Sequence, residues 1–445
     1  MALDSLPLAL GFCLLIVHFV KQTYTFQIKE YRFDRLFAHL ADIGLIPFLY
    51  GFDIRVPAIK KPRNIAILLF CCVVAAFISR LIPDRVLYSV LLIALSPILA
   101  LIVCSIAVFI TSIPVAIYRK FIINKAKQTL SIHHPIVIGI TGSYGKSTTK
   151  EYLSHILTQK YQVAKTDRNQ NTDIGVAMSV ISNIKPSTEY FIAEMGAYKV
   201  NEIKTICNFV YPQIGIITGI GTQHLALFGS KEELFYAKSE LGMALPPEGM
   251  LFIASSLDKI QKLRLKKLVK CPIFEYEAVV NDPHQSAINA SIAVARHLKI
   301  PHEAIQTTIS HMVKPIHLKP RLHTSGYSII DSSYSTNANA FVAHIQILKT
   351  VHKSKKIILT SGIIELGKEK ENIYKEILNA LPAHTMLYTS DKTFQKVASP
   401  SQAKVVIYNS NQHRLIDIVK KSLSSDVAIL IEGRFRSDIL SDIIY

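Results

Sequence analysis

The first third of the chain alternates long apolar runs with short charged segments. Three stretches contain no Asp, Glu, Lys or Arg, and they are residues 5–20, 64–79 and 86–118. Because about 20 apolar residues cross the hydrocarbon core of a bilayer, these runs predict three transmembrane helices. The predicted spans are residues 5–20, 64–82 and 86–110, the last reaching 118 if it is long and tilted. A hairpin within the third run, which would add a fourth crossing, is the alternative.

The Lys and Arg residues between the apolar runs predict how the spans are oriented. Residues 21–63 carry eight of them and residues 119–127 carry four, whereas residues 80–85 carry two. Since Lys and Arg accumulate in cytoplasmic loops, three spans with the N-terminus outside place both richer segments inside. We therefore expect a multi-pass protein of the inner membrane whose catalytic part, after Arg119, is cytoplasmic. Apolar core helices of a soluble domain are the alternative for the same runs.

After Lys127 the pattern changes to short β-branched runs followed by helical stretches, which is typical of a parallel α/β sheet. Residues 136–140 read as a buried strand, and residues 141–149 follow as Thr-Gly-Ser-Tyr-Gly-Lys-Ser-Thr-Thr. A strand, a glycine-rich turn and Lys-Ser at the start of a helix form a loop that cradles phosphates. Lys146 would neutralise the phosphates of ATP, and the Ser147 hydroxyl would hold Mg²⁺. The predicted nucleotide-binding residues here are Thr141, Gly142, Ser143, Tyr144, Gly145, Lys146, Ser147 and Thr148.

The overall composition fits a partly membranous, basic protein. Of 445 residues 50% are hydrophobic and 18% are charged, which excludes a disordered or collagen-like chain. The net charge of +18 suits nucleic acid, anionic lipid or a phosphorylated substrate. No basic module with interleaved aromatic residues occurs, so nucleic acid is not an expected partner. The basic run at residues 259–270 is either a solvated helix face or a contact with anionic headgroups.

Several segments, in order along the chain, carry a family resemblance. They are Gly139-Ile-Thr-Gly-Ser-Tyr-Gly-Lys-Ser147, Asn169-Gln-Asn-Thr-Asp-Ile-Gly175, Glu194-Met-Gly196, Thr218-Gly-Ile-Gly-Thr-Gln-His224, Ala237-Lys-Ser-Glu240, Asp331-Ser-Ser-Tyr-Ser-Thr-Asn337 and Glu365-Leu-Gly367. Together they resemble the motifs of the Mur ligases, and most closely those of the D-alanyl-D-alanine-adding branch. The resemblance implies an ADP-forming ligase that uses ATP to join a carboxylate to an amine through an acyl phosphate. It also implies an α/β fold with a P-loop central domain, mostly parallel, at residues 129–315 and a Rossmann-like domain at residues 316–445, after a transmembrane region at residues 1–128.

The resemblance further implies roles for individual residues. One Mg²⁺ would lie on Ser147 and Glu194, and a second on Glu194 and His224. Lys238 matches a lysine that CO₂ often carbamylates in the family, where the carbamate supports the second ion. The implied catalytic residues are Lys146, His224 and Lys238, the further nucleotide contacts are Asn289, Arg321 and Asp331, and the substrate-side residues are Asn169, Asn171 and Asn337. The alternatives are a helix-surface lysine for Lys238, a helix-face amide for Asn289 and a surface arginine for Arg321.

The chain also departs from the family pattern. Arg168, Ser332, Ser335, Thr336 and Ala338 replace the usual residues of two motifs. Membrane spans stand where family members have a domain that binds the UDP end of their substrate. We therefore expect a lipid-linked or membrane-delivered carboxylate substrate and an amino acid or dipeptide as the amine, in cell-envelope synthesis. The alternatives are a ligase of the polyglutamate or cyanophycin type, and a nucleotide-operated transport partner or switch.

Overall fold

The computed structural model of the chain describes residues 2–51, 56–58, 61–81, 85–167, 170–221, 228–279, 282–312, 320–333, 338–363, 366, 369–399, 403–408, 417, 419–433, 435, 440 and 443–444. It divides into two compact units, Met1–Ile122 and Ile123–Tyr445.

The first unit is helical. Its helices are α1 (Ala2–Ile28), α2 (Phe33–Ile43), α3 (Leu45–Tyr50), α4 (Pro62–Leu81) and the first part of α5 (Arg85–His133). The buried ammonium of Lys21 donates hydrogen bonds of 2.7 Å to the carbonyl oxygens of Phe48 and Gly51. It thereby satisfies carbonyl groups that the end of α3 leaves without a helical partner.

Helices α1, α4 and α5 cover the three predicted spans. Among the described residues, one helix is long and apolar enough to cross a membrane, the Ile93–His133 part of α5. The apolar part of α4, Pro62–Ile78, is shorter. The number of crossings and their orientation therefore stay predictions.

The second unit contains two six-stranded sheets. The first sheet has the order β2-β3-β1-β4-β5-β6, and all its strand pairs are parallel. Its strands are β1 (Ile136–Thr141), β2 (Val163–Lys165), β3 (Tyr190–Glu194), β4 (Ile214–Ile217), β5 (Met250–Ala254) and β6 (Ile273–Tyr276). Strands β3 and β4 are buried throughout, as expected of apolar runs covered by helices on both faces. The predicted strand at residues 136–140 is confirmed as β1.

Helices cover the first sheet. They are α6 (Lys146–Leu157), α7 (Asp173–Asn183), α8 (Glu202–Val210), α9 (Lys231–Ala244), α10 (Lys259–Leu268), α11 (Pro283–His297) and α12 (His302–His311). One core joins α6, α9, α10, α11 and α12 to the sheet, with Ile138 and Ile140 of β1 packed in the same buried cluster as Leu153 of α6 and Val294 of α11.

The second sheet has the order β11-β10-β9-β12-β8-β7, and only its edge pair β7–β8 is antiparallel. Its strands are β7 (Arg321–Leu322), β8 (Ser328–Ser332), β9 (Lys355–Thr360), β10 (Thr385–Thr389), β11 (Ala403–Ile407) and β12 (Val427–Glu432). The helices described beside it are α13 (Ala338–Thr350), α14 (Lys370–Ala380) and α15 (Lys392–Val397). The predicted α/β class with mostly parallel sheets is thus confirmed, while the exact domain boundaries stay a prediction.

Candidate nucleotide and metal site

The predicted phosphate loop lies at the carboxyl ends of β1 and β4. Its shape depends on Gly142, which has a φ of +146°, and on Gly145, which has a φ of +77°. A Cβ atom on Gly142 would approach the hydroxyl of Thr218 to 2.1 Å. A residue with a side chain would therefore push the loop away from the segment after β4. The loop is tied to that segment by Ser143, whose N–H donates to the carbonyl of Gly219 at 2.9 Å.

Helix α6 begins directly after this loop. Gly145 occupies its N-cap, where no side chain caps the first turn, so the first N–H groups of the helix remain available to an anion. Lys146 is half-buried and folds back over the loop, where its Nζ donates to the carbonyl of Gly142 at 2.8 Å. Burial lowers the pKa of Lys146, and the carboxylate of Glu194 acts in the opposite direction. Ser147, in the same turn, is exposed.

Glu194 ends β3, the strand next to β1, and is only 3% exposed. Its Oε1 accepts a hydrogen bond from the Asn171 amide at 3.2 Å, and its Oε2 lies 3.2 Å from the ammonium of Lys150. Lys150 is buried and lies one helical turn after Lys146 on α6. Sequence reasoning missed this lysine. Its spacing of four residues from Lys146, which places both on one side of the helix, was the available signal.

Lys238 is buried in α9, so the alternative of a helix-surface lysine is wrong. The pKa of Lys238 is lowered to about 7, mainly by burial and also by the positive charge of Lys146, while the carboxylates of Glu202 and Glu240 act to raise it. The two lysines therefore lie within electrostatic range of each other. Lys238 Nζ also lies 5.7 Å from the centre of the Phe228 ring.

Glu240 follows Lys238 on the same helix and has a structural task. Its carboxylate accepts hydrogen bonds from the backbone N–H groups of Asn201 and Lys204, the latter at 2.9 Å. These are donors that the start of α8 leaves without a helical partner. Glu240 thereby connects α9 to the segment that follows β3.

The donor set of this cluster fits a magnesium ion. Mg²⁺ prefers hydroxyl, carboxylate and phosphate oxygens. Ser147 offers an exposed hydroxyl, and Oε2 of Glu194 is buried and accepts no hydrogen bond from the described part of the chain, although it faces Lys150. A lone pair of that oxygen therefore remains for a cation.

The other predicted site residues have different outcomes. Asn289 donates to the carbonyl of Glu277 at 3.0 Å and accepts from Gln285 at 3.0 Å, so its amide already has two partners. Arg321 and Asp331 lie together at the edge of the second sheet, 3.8 Å apart. Further residues of the predicted motifs lie outside the described residues, and they are Arg168, Asn169, His224, Ser335, Thr336, Asn337, Glu365 and Gly367.

A second buried pair at the carboxyl end of β12 was also missed by sequence reasoning. Nδ1 of His344 on α13 lies 2.7 Å from Oε2 of Glu432, which is fully buried. Burial raises the pKa of Glu432, while His344 and Ser332 act to lower it. The pair joins α13 to the middle of the second sheet.

Comparison with known proteins agrees with this geometry. Residues 140–294 match the Mur ligase middle domain. The UDP-N-acetylmuramoyl-tripeptide–D-alanyl-D-alanine ligase of Bacillus subtilis is 26% identical over 274 residues, which are 54% of this chain and 59% of that protein. The protein of the same name from Borreliella burgdorferi is 25% identical over 339 residues, 66% of this chain and 71% of the relative. The chain thus spans about 60 to 70% of the length of these relatives.

Solved structures show the same fold. MurF from Acinetobacter baumannii superposes with a TM-score of 0.64 at 20% identity, covering 73% of this chain and 80% of that one. MurF ligase from Thermotoga maritima in complex with ADP gives a TM-score of 0.61 at 19% identity, with coverages of 73% and 83%. Escherichia coli FolC in complex with DHPP and ADP gives 0.52 at 13% identity, with coverages of 73% and 92%. Through residues 140–294, which match the Mur ligase middle domain, the chain is thus similar to the Mur ligases.

Proposed function

We propose that this protein is an ATP-dependent, ADP-forming ligase that joins a carboxylate to an amine during synthesis of a cell-envelope precursor. The observation that carries the proposal is the cluster of Lys146, Glu194 and Lys238 at the carboxyl edge of the first sheet. It combines a phosphate-binding loop with a buried carboxylate and a buried lysine of lowered pKa. The names of the relatives support an acid–amine ligase.

The residues of the cluster suit transfer of a phosphoryl group to a carboxylate. In the first step a carboxylate oxygen of the substrate attacks the γ-phosphorus of ATP, and ADP leaves. In the second the neutral amine attacks the acyl carbon and loses a proton to solvent, and phosphate leaves with the electron pair of the acyl–oxygen bond. Lys146 and the free N–H groups of α6 would stabilise the negative charge that both steps place on oxygen.

Mg²⁺, when bound, would neutralise phosphate oxygens as a Lewis acid. Ser147 and Glu194 would hold one ion, and Glu194 with His224 the other. Lys150 and Asn171 keep the carboxylate of Glu194 in place, so Asn171 acts here as a positioning residue. Asn289, Arg321 and Asp331 remain proposed nucleotide contacts, and Asn169 and Asn337 proposed substrate contacts.

Lys238 is proposed to react with CO₂. The neutral amine adds to the carbon of CO₂ and loses a proton, which leaves a carbamate with one negative charge. A pKa of about 7 keeps a large neutral fraction of this amine at physiological pH. The carbamate would then act as the carboxylate-like group that supports the second metal ion.

The first unit is proposed to tether the enzyme to the inner membrane. Large apolar side chains are exposed along α4, at Leu69, Val73 and Phe77, and along α5, at Phe109 and Ile117. Contiguous exposed apolar surface of this kind is unfavourable in water and suits lipid. We infer a multi-pass arrangement with a cytoplasmic catalytic part. The carboxylate substrate would be lipid-linked or delivered at the membrane, and the amine an amino acid or dipeptide.

Phosphate release by the full chain tests this function. The detergent-purified protein is assayed with ATP, Mg²⁺, bicarbonate and a membrane-lipid extract, with pools of amino acids and dipeptides added in turn. Release that requires one amine pool, disappears in Lys146→Ala and persists in the exposed-site control Lys185→Ala supports a ligase. Release that no amine pool changes would instead support a nucleotide-operated transport partner or switch.

The same assay separates the ligase classes. A requirement for glutamate or for aspartate and arginine, with no requirement for lipid extract, would favour the polyglutamate or cyanophycin type. Efficient turnover of a soluble UDP-linked peptide would refute the membrane-bound substrate.

A further inference from the structure

Helix α10 presents one exposed face that is both apolar and basic. At roughly 100° per residue, Ile260 lies at one edge of this face and Leu263 at its middle. They are 69% and 60% exposed. Three exposed lysines flank them on the same side of the helix, and they are Lys259, Lys266 and Lys267. These five residues are called the α10 face below.

The opposite side of α10 is firmly attached to the first sheet. Leu265 is fully buried in the core cluster of that sheet. A capping box begins the helix. Oδ1 of Asp258 accepts a hydrogen bond from the backbone N–H of Gln261 at 2.8 Å, and the side-chain oxygen of Gln261 accepts one from the backbone N–H of Asp258. The α10 face is therefore held outward by a well-formed helix and is not a fraying segment.

The basic residues of α10 fall into two groups. Lys262 pairs with Glu275 at 2.6 Å, and Arg264 pairs with Glu232 while its guanidinium lies 4.6 Å from the centre of the Phe235 ring. The lysines of the α10 face form no ion pair within the described residues. Their charge is thus available to an external anion.

The combination of charges and apolar side chains identifies the partner. Two exposed aliphatic side chains interspersed with three lysines match the surface of an anionic bilayer, where apolar groups enter the acyl boundary and ammonium groups stay with the headgroups. Lysine suits such a surface, because the aliphatic part of its side chain can lie along apolar groups while the ammonium group stays in water. The apolar helix α5 of the same chain makes a lipid surface available.

We propose that the α10 face docks the catalytic unit onto an anionic lipid surface. This goes beyond the proposed ligase activity, because it concerns the surface on which the catalytic unit rests. It holds or fails independently of the reaction.

The chain contains no tryptophan, so a single introduced tryptophan reports on its own environment. Leu263→Trp places the reporter on the α10 face. Leu322→Trp is the matched control, because Leu322 on β7 is 72% exposed and lies on the other sheet. Both full-length variants are incorporated into vesicles of phosphatidylglycerol with phosphatidylcholine, or of phosphatidylcholine alone, with brominated acyl chains as quenchers.

We expect brominated lipid to quench Leu263→Trp in the anionic vesicles, with a blue-shifted emission, and to leave Leu322→Trp unchanged. Replacing Lys259, Lys266 and Lys267 by Glu in the Leu263→Trp background should abolish the quenching. Each lysine near an anionic surface contributes to the binding free energy. Loss of all three is therefore expected to weaken surface binding by about a hundredfold. Replacing the exposed lysines Lys349, Lys375 and Lys404 by Glu changes the net charge equally and should leave the quenching intact.

Three results would overturn the proposal. They are equal quenching of both reporters, quenching that survives the reversal of the three α10 lysines, and a blue shift that follows protein concentration in the absence of lipid. The last result would assign the face to a protein partner or a second copy. Phosphate release from the same vesicles is a separate readout. Failure of the ligase proposal can therefore be distinguished from failure of the membrane-docking proposal.

Discussion

We expect the activity of this protein to require carbon dioxide, because Lys238 is buried with a pKa of about 7. At pH 7 about half of a group with this pKa is neutral, against about 0.03% of an ordinary lysine. Only the neutral amine has the lone pair that adds to CO₂. Burial therefore makes the reactive, neutral form of the Lys238 amine about a thousandfold more populated than that of an exposed lysine.

Two measurements check this expectation. Protein equilibrated with ¹³CO₂ should show one carbamate carbon signal by NMR, which Lys238→Ala removes and the exposed-site control Lys204→Ala keeps. Phosphate release should fall at least tenfold in CO₂-depleted buffer and return with bicarbonate. Lys238→Ala should be inactive and should recover part of the activity with acetate, a carboxylate small enough to replace the carbamate.

The reasoning would be refuted by full activity without CO₂ together with no carbamate signal. An inactive Lys238→Ala variant alone does not decide the matter, since loss of a buried side chain also disturbs packing. Partial rescue by acetate distinguishes loss of the carbamate from disturbed packing, because an added carboxylate restores the negative charge but not the packing.

The same pKa predicts how stability depends on pH when CO₂ is absent. The unfolded chain binds a proton at Lys238 below about pH 10.5, whereas the folded chain does so only below about 7. The free energy of unfolding should therefore fall as the pH drops from about 10.5 to about 7, by up to about 5 kcal/mol, and level off below. Lys238→Met should remove this dependence in thermal unfolding curves.

Three further substitutions test the buried pairs and the loop. Lys150→Met should destabilise the catalytic unit by about 3–5 kcal/mol, because it leaves the carboxylate of Glu194 buried without its cation, and adding Glu194→Gln should restore most of the melting temperature. A double variant no more stable than the single one would contradict this pairing. Gly142→Ala should weaken nucleotide binding at least tenfold in calorimetry, since the new methyl group meets the threonine hydroxyl after β4, and unchanged affinity would show that the loop adapts. His344→Phe should lower the melting temperature of the second sheet region, and combining it with Glu432→Gln should recover it if burial of an unpaired carboxylate is the cause.

The elements that were predicted best from the sequence are those that depend on residues close together in the chain. Strand β1 and the following loop were predictable because a β-branched run needs no distant partner to be recognised, and Gly142 and Gly145 mark the turn where the chain must adopt positive φ. The α/β class follows from the same alternation.

The elements that were missed depend on distant contacts. Lys150 looks like any lysine on an amphipathic helix until β3 brings Glu194 beside it. His344 and Glu432 are 88 residues apart, and only the pairing of strands with α13 brings them together. Lys238 could equally have been a surface lysine, since a single helix does not reveal which of its faces the rest of the fold covers.

The charges around the phosphate loop connect these observations. Lys146 and Lys150 both interact with the carboxylate of Glu194, and the positive charge of Lys146 also acts on Lys238. Such a cluster attracts the phosphates of a nucleotide but repels a divalent cation. A carbamate on Lys238 would replace one cation of this cluster by an anion. Carbamylation should therefore act mainly on the affinity of the site for Mg²⁺, so that high magnesium, and not high ATP, partly compensates for the removal of CO₂.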